Sequence, residues 1–226
     1  IKEVEAYCQG KLQADPDSVA ANLAMFRLAT INNENAKAVE YIDKCINLIG
    51  PTDPRRVDYV LKKGEALTRL YEQSSDKNYL ETAVAEYESL LTKMPNNTHV
   101  ATVLNNLAYL LAEDGERLST ALDYAKRALD IRPDSPGMLD TYAYVLLKNG
   151  KASEAARSMA AALQCFEQDG TGVPPEVYEH EGMIKEKLGD KQEALSAYRE
   201  ALRTGENELS DKARARIEQA VARVSP

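Results

Sequence analysis

Five times along this chain an Ala is followed four residues later by a further apolar residue, and three residues beyond that by another small or apolar one. The sets are Ala38/Ile42/Cys45, Ala83/Tyr87/Leu90, Ala121/Ala125/Ala128, Ala155/Met159/Ala162 and Ala194/Tyr198/Ala201. Offsets of 0, 4 and 7 place three side chains on one face of an α-helix. The leading Ala recurs every 34 to 45 residues, which makes the pattern an internal repeat. A unit of that size cannot bury its own apolar face, so its stability has to come from stacking on its neighbours.

Each marker set belongs to the second helix of a pair. A small residue marks the first helix: Ala143 and Gly182 lie 12 residues before Ala155 and Ala194, and Ala108 lies 13 before Ala121. Gly115, Gly150 and Gly189 fall in the intervening turns, where a left-handed residue ends a helix at little cost, and Asn33 takes that place in the Ala38 unit. Pro95, Pro133 and Pro51 stop second helices shortly after the last marker. The predicted pairs are 18–32 with 35–49, 55–73 with 78–93, 98–113 with 117–131, 136–149 with 152–168, and 175–188 with 191–204. Polar, Gly-bearing insertions at Tyr71 to Asn78 and Gln168 to Pro174 lengthen two connections.

The ends follow the same frame. Val4, Cys8, Lys11 and Pro16 sit in the register of the later markers, so residues 1–16 read as a partial repeat cut from a longer array. The alternative is a lone capping helix, favoured by Lys11 at a packing position. Over 208–224, Leu209, Ala213, Ile217, Ala220 and Val224 line one helical face. Lys212, Arg214, Arg216 and Arg223 are left to face water, as a terminal cap requires.

Composition narrows the function classes. With no Trp, two Phe, 12 Tyr and abundant Ala, the chain suits close-packed helices better than sheets. A net charge of −8 argues against a sequence-independent grip on nucleic-acid phosphates, so nucleic acid is not an expected partner. No stretch approaches the roughly 20 apolar residues needed to cross a bilayer, so membrane insertion by this segment is not expected. Cys8, Cys45 and Cys165 are far apart and in no metal or redox spacing, and read as helix-packing residues.

These positions resemble the tetratricopeptide repeat, whose units of about 34 residues alternate small and large residues and close on Pro. Leu139, Tyr142, Ala143, Leu146, Gly150, Ala155, Met159 and Ala162 fill successive places of that pattern in the best unit, and Tyr178, Gly182, Gly189, Ala194, Tyr198 and Ala201 do so in the next. The resemblance covers nearly all of 1–206 and implies an all-α fold: a right-handed α-solenoid, or superhelix, of stacked antiparallel helix pairs with a C-terminal capping helix. The repeats would be 18–51, 55–95, 98–133, 136–169 and 175–206 within one domain over 1–226. Departures are bulky Phe26 at a small-residue place, expected to splay its pair or shift its neighbour, and Glu167 and Glu206 in place of the closing Pro, expected to let the last two second helices run on.

The resemblance further implies that first helices line a concave groove in which a peptide or protein segment lies. The groove candidates are Asn105, Asn106, Tyr109, Asp140 and Tyr144, with Arg69 and His180 further along. Asn amides donate to and accept from a peptide backbone at once, and Tyr adds apolar area with a hydroxyl. The bland reading is that such residues simply solvate an inner surface. The chaperone-tail clamp of Lys, Asn and Arg known in the family is not reproduced, since the corresponding positions hold Leu23, Arg27, Lys62, Asn105, Asp140 and His180.

No catalytic residue, metal site or cofactor is assigned. His99 and His180 have no second ligand at metal spacing, Glu179 and Glu181 diverge from His180 on a helix, and neither a phosphate loop nor a nucleophile elbow is present. The expected function is a non-catalytic scaffold for a protein or peptide partner. The alternatives are a regulatory or targeting segment of a larger enzyme or of a secretion or envelope assembly, and self-association through exposed end helices.

Overall fold

The five leading Ala residues are wholly buried: Ala38, Ala83, Ala121, Ala155 and Ala194 each have 0% exposure in a computed structural model of the chain. The structure describes residues 2–96, 98–206 and 209–225. Ile1 and Glu208, the first residues of the expected partial repeat and of the expected cap, lie outside them.

Among the described residues there are twelve α-helices and no strand. They are α1 (Lys2–Ala14), α2 (Val19–Ile31), α3 (Asn35–Leu48), α4 (Arg55–Ser74), α5 (Lys77–Lys93), α6 (Val100–Asp114), α7 (Leu118–Ile131), α8 (Pro136–Lys148), α9 (Ala152–Asp169), α10 (Pro175–Leu188), α11 (Lys191–Thr204) and α12 (Asp211–Val224). Ser18 and Ser210 cap α2 and α12 by accepting from the Ala21 and Ala213 amides. Asn33 at φ 57° and Gly189 at φ 89° make the left-handed residues that turn the chain between paired helices.

The chain divides into two compact units, Ile1–Val103 and Leu104–Pro226. In the first, α2 packs on α3 and α4 on α5, with α1 against α2 and α3 against α4. In the second, α8 packs on α9 and α10 on α11, α7 leans on α8, and α12 closes against α11. Ala143, Leu146, Ala155, Met159, Ala162 and Ile184 form one core of that unit, while Ala194, Tyr198, Ala201, Ile217 and Val224 form another. The three cysteines are unpaired thiols, two of them buried in the packing.

The paired helices are matched in volume. A methyl added at Gly182 would lie 2.6 Å from Tyr198 Cδ1 and Cε1, and one at Gly64 would lie 2.1 Å from Tyr87 Oη. Each Tyr therefore occupies the space that a side chain on the glycine would take. At the same two places the α8/α9 pair carries Ala143 and Met159, and the α2/α3 pair carries Phe26 and Ile42, all buried.

Lys63, on α4, is the buried cation of the first unit. Its Nζ reaches Asp43 of α3 at 2.7 Å and Glu86 of α5 at 2.6 Å, with only 9% of the side chain exposed. Burial pulls the ammonium pKa down, but the two carboxylates outweigh it and hold the pKa above its usual value.

The two helices that lack a closing Pro end differently. α9 runs for 18 residues, to the left-handed Gly170, whereas α11 stops after 14. Beyond α11, Leu209 folds back over Gly205, where an added methyl would meet Leu209 Cγ at 2.5 Å.

Gly182→Ala is expected to destabilise the chain by about 1–3 kcal/mol through overpacking against Tyr198. Adding Tyr198→Met, which recreates the Ala143/Met159 combination, should recover part of that loss. Urea denaturation of the two variants beside wild type measures both effects, and a double variant no more stable than the single one would remove the volume argument.

Candidate functional site

The second unit sets its first helices side by side, and polar residues on them meet across the helix boundaries. On α6, Tyr109 and Glu113 are one turn apart and share a face. Asp140 and Tyr144 bear the same relation on α8. α10 supplies Glu179 and His180, and α12 supplies Arg216 and Arg223.

The contacts run in sequence from α6 to α12. The Tyr144 hydroxyl donates to Glu113 Oε1, and the Tyr144 ring lies tilted to Tyr109 with centroids 5.8 Å apart. Its other neighbour is His180, whose ring stacks on it at 4.3 Å. His180 Nδ1 donates to Asp140 Oδ1 at 2.9 Å, tying α10 back to α8. Glu179 accepts a two-pronged pair of hydrogen bonds from Arg216 Nε (2.6 Å) and Nη2 (2.8 Å), which ties α12 to α10. Two turns on, Arg223 grips Glu186 in the same manner at 2.6 and 2.9 Å, and the Tyr198 hydroxyl donates to Glu186 as well. Lys148 Nζ sits 5.3 Å from the Tyr144 ring centre, within cation–π range.

The electrostatics follow from burial and pairing. Burial alone lowers the His180 pKa, but Asp140, by charge and by hydrogen bond, reverses this with help from Glu179 and Glu113, so the imidazole stays above its usual value. The Tyr144 phenol is pushed well up by burial and by the Glu113 carboxylate beside it. Arg223 holds the Glu186 carboxyl below its usual range against a smaller opposing effect of burial. Buried carboxylates without such partners would cost several kcal/mol each, roughly.

Of the residues named from sequence, Asp140, Tyr144 and His180 are buried and engaged with one another. Asn105, Asn106 and Tyr109 are half-buried on α6, and the Asn105 side-chain oxygen has no hydrogen-bond partner. Arg69 is exposed on α4 of the first unit, and His99 is exposed just before α6. Sequence reasoning missed Glu113, and it assigned Arg216 and Arg223 to the water-facing side of the cap. Their guanidinium groups instead anchor the cap to Glu179 and Glu186. The signal for this was the spacing: Glu179 to Arg216 and Glu186 to Arg223 are both separated by 37 residues, about one repeat.

Chemically the cluster is a connector. One His180 nitrogen is committed to Asp140, one ring face is covered by Tyr144, and the residue is 8% exposed. Among the described residues no group of three or more His, Cys, Asp or Glu is placed to hold a metal ion. Among the described residues no helix is long and apolar enough to cross a membrane.

The sequence profile of the family described as Tetratricopeptide repeat matches residues 175–204, the α10/α11 pair that carries Glu179, His180 and the Gly182/Tyr198 contact. The α10/α11 pair is thus a tetratricopeptide repeat. A TPR repeat-containing protein of Pseudomonas aeruginosa is 30% identical over 105 residues, a match that covers 45% of this chain and 17% of that much longer protein. Among solved structures, a thermophilic TPR protein of Thermus thermophilus is similar with a TM-score of 0.68 at 18% identity, over 91% of this chain and all (100%) of that one. YrrB, described as a TPR protein with an unusual peptide-binding site, is similar with a TM-score of 0.51 at 17% identity, over 89% of this chain and 93% of that one. At these identities the likeness to the solved structures is one of fold. TPR arrays as a class mediate protein–protein interaction.

A pH dependence follows from His180. A raised folded-state pKa means that its stabilisation is complete below the ordinary imidazole value and is lost as pH rises through the higher, folded value. Wild type should therefore exceed His180→Gln in stability by most at about pH 6, just under that ordinary value. The advantage should shrink on going to alkaline pH. Denaturation curves of both proteins across that range test it, and an advantage that grows with pH would contradict the assignment.

Proposed function

We propose that the chain is a protein-interaction scaffold without catalysis of its own, and that a peptide or protein segment lies along the first-helix face of the second unit. The observation that carries this reading is the row Tyr109, Tyr144, His180, bounded by Asn105 and Asn106 on one side and by Arg216 on the other. Tyr144 and His180 are fixed by Glu113 and Asp140, so they support a platform whose outer groups need little ordering when a partner arrives. Tyr109 presents a half-covered ring, and 59% of the Arg216 side chain remains open to solvent although its guanidinium is held. Aromatic and Arg groups held rigid in this way are the usual anchors of protein interfaces. The description of YrrB as a peptide-binding TPR protein is consistent with that use of the fold.

A second reading, a regulatory or targeting segment of a larger assembly, is favoured by one fact. The curated relative extends far beyond the match, which spans 17% of it. The two readings are compatible, since a targeting segment acts by binding.

Asn106→Ala and Tyr109→Ala test the surface while keeping the residues of the Tyr144–Glu113 and His180–Asp140 hydrogen bonds. Each is expected to weaken a captured partner by about 1–2 kcal/mol, or roughly 5- to 30-fold, with melting temperatures close to wild type. Partners are identified by affinity capture from native extract and measured by calorimetry. Unchanged affinities in both variants would remove this face as the binding surface.

A further inference from the structure

The chain has one Asn–Gly pair, Asn149–Gly150, and it stands at the C-terminal end of α8. An Asn side-chain amide followed by Gly is open to attack by the next backbone nitrogen, because Gly has no Cβ to hinder the approach. In that reaction the Gly150 nitrogen bonds to Asn149 Cγ and the Cγ–Nδ2 bond breaks. The amide nitrogen leaves as ammonia, taking up the proton of the Gly150 N–H. Water then opens the cyclic imide at either carbonyl and leaves a carboxylate, on aspartate or on isoaspartate.

Both reacting groups are held in the folded chain. Asn149 Nδ2 donates to Val145 O at 2.8 Å, within α8, and to Leu118 O at 3.2 Å, at the start of α7. The Gly150 N–H donates to Leu147 O at 2.9 Å, and the Lys151 N–H donates to Leu146 O at 2.9 Å just behind it. Ring closure needs the amide and the Gly150 N–H released together, which is a local opening of the last turn of α8. The product has no equivalent set of bonds, because a carboxylate accepts hydrogen bonds and cannot donate to the two carbonyl oxygens. The end of α6 shows what a carboxylate needs at this place. Asp114 lies six residues past Ala108, as Asn149 lies six past Ala143, and its side chain, 3% exposed, is answered by Arg117 Nε at 3.4 Å. Three residues past Asn149 stands Ala152, and the nearby Lys148 and Lys151 are engaged over the Tyr144 ring and with Glu154.

We propose that Asn149–Gly150 is a spontaneous deamidation site gated by opening of the α8 C-terminus, and that the carboxylate formed there keeps the end of α8 from closing back on α7. Because the ammonia is lost, an opening that reacts becomes permanent. The site does not depend on the reading of the second-unit face.

The test incubates the full chain in mildly alkaline buffer, folded and in guanidinium chloride beyond its unfolding transition. Peptide mass spectrometry reads conversion at each Asn, and enzymatic methylation reads isoaspartate. Conversion at Asn149 should be at least about tenfold slower in the folded chain, and Asn149 should be the fastest Asn of the unfolded one. Asn149→Asp should unfold at a lower denaturant concentration than wild type. Adding Ala152→Arg, which copies the Asp114/Arg117 spacing, should recover part of that loss. The proposal is overturned by equal rates in the folded and unfolded chain, by faster conversion at another Asn of the unfolded chain, or by an Asn149→Asp protein as stable as wild type. A double variant no more stable than Asn149→Asp overturns it too. Should Asn149→Asp fail to fold, converted wild-type chain returned from denaturant is compared with unreacted chain treated alike, where a lower unfolding midpoint is expected and equal midpoints overturn the proposal.

Discussion

The structure depends on how closely the two helices of each pair approach, and that distance is set by side-chain volume at one place on each helix. Interiors are packed as densely as organic crystals, so bulk given up on one helix must be returned on the other. Gly182 admits Tyr198, Gly64 admits Tyr87, and Ala143 meets the slimmer Met159. In the first pair the bulk changes sides, with Phe26 on the first helix and Ile42 on the second, both buried. The α6/α7 pair is small at both places, Ala108 and Ala125, and α6 carries Leu104, Leu107 and Leu111 around its Ala, all buried.

Once the pairs are spaced, neighbouring first helices in the second unit lie near enough for side chains to bridge them, and a polar network becomes feasible. Asp140 and Glu179 are buried carboxylates, a costly arrangement unless each is answered by a cation or donor. His180 answers one and Arg216 the other. The consequence is a face whose deep layer is internally satisfied and whose outer layer of Asn105, Asn106 and Tyr109 faces solvent only in part. The deep layer confers rigidity, and the outer layer is where chemistry with another molecule has to occur.

This division also explains what was legible in the sequence. The repeat frame could be read because packing residues recur at fixed offsets and small residues are rare enough to stand out; each leading Ala is indeed fully buried. Tyr109 and Tyr144 could be placed together because they occupy the same position in successive units. His180 was placed in the groove, but its bond to Asp140 was not foreseen, because the pair joins different positions of the repeat across a diagonal that depends on helix offset. Arg216 was read as solvating the cap for a related reason: amphipathic patterning reports which face a residue occupies and is silent on a carboxylate one repeat upstream. Lys63 drew no notice, since a single Lys on a helix looks like surface until Asp43 and Glu86 are brought to it from two other helices. The end of α11 falls at Thr204 as the repeat frame places it, and the missing Pro does not let it run on, because Gly205 and Leu209 supply a stop of another kind.

The glycine–tyrosine pairs bear on the mutational history open to this molecule. Neither partner can drift alone: a side chain on the glycine collides with the ring, and a smaller residue in place of the ring leaves a void. Both partners nevertheless lie within one helix pair, so copying or deleting a whole pair carries the solution intact. An array built this way changes more readily by gaining and losing complete units than by substitution inside them, and its length is therefore a freer variable than its interior.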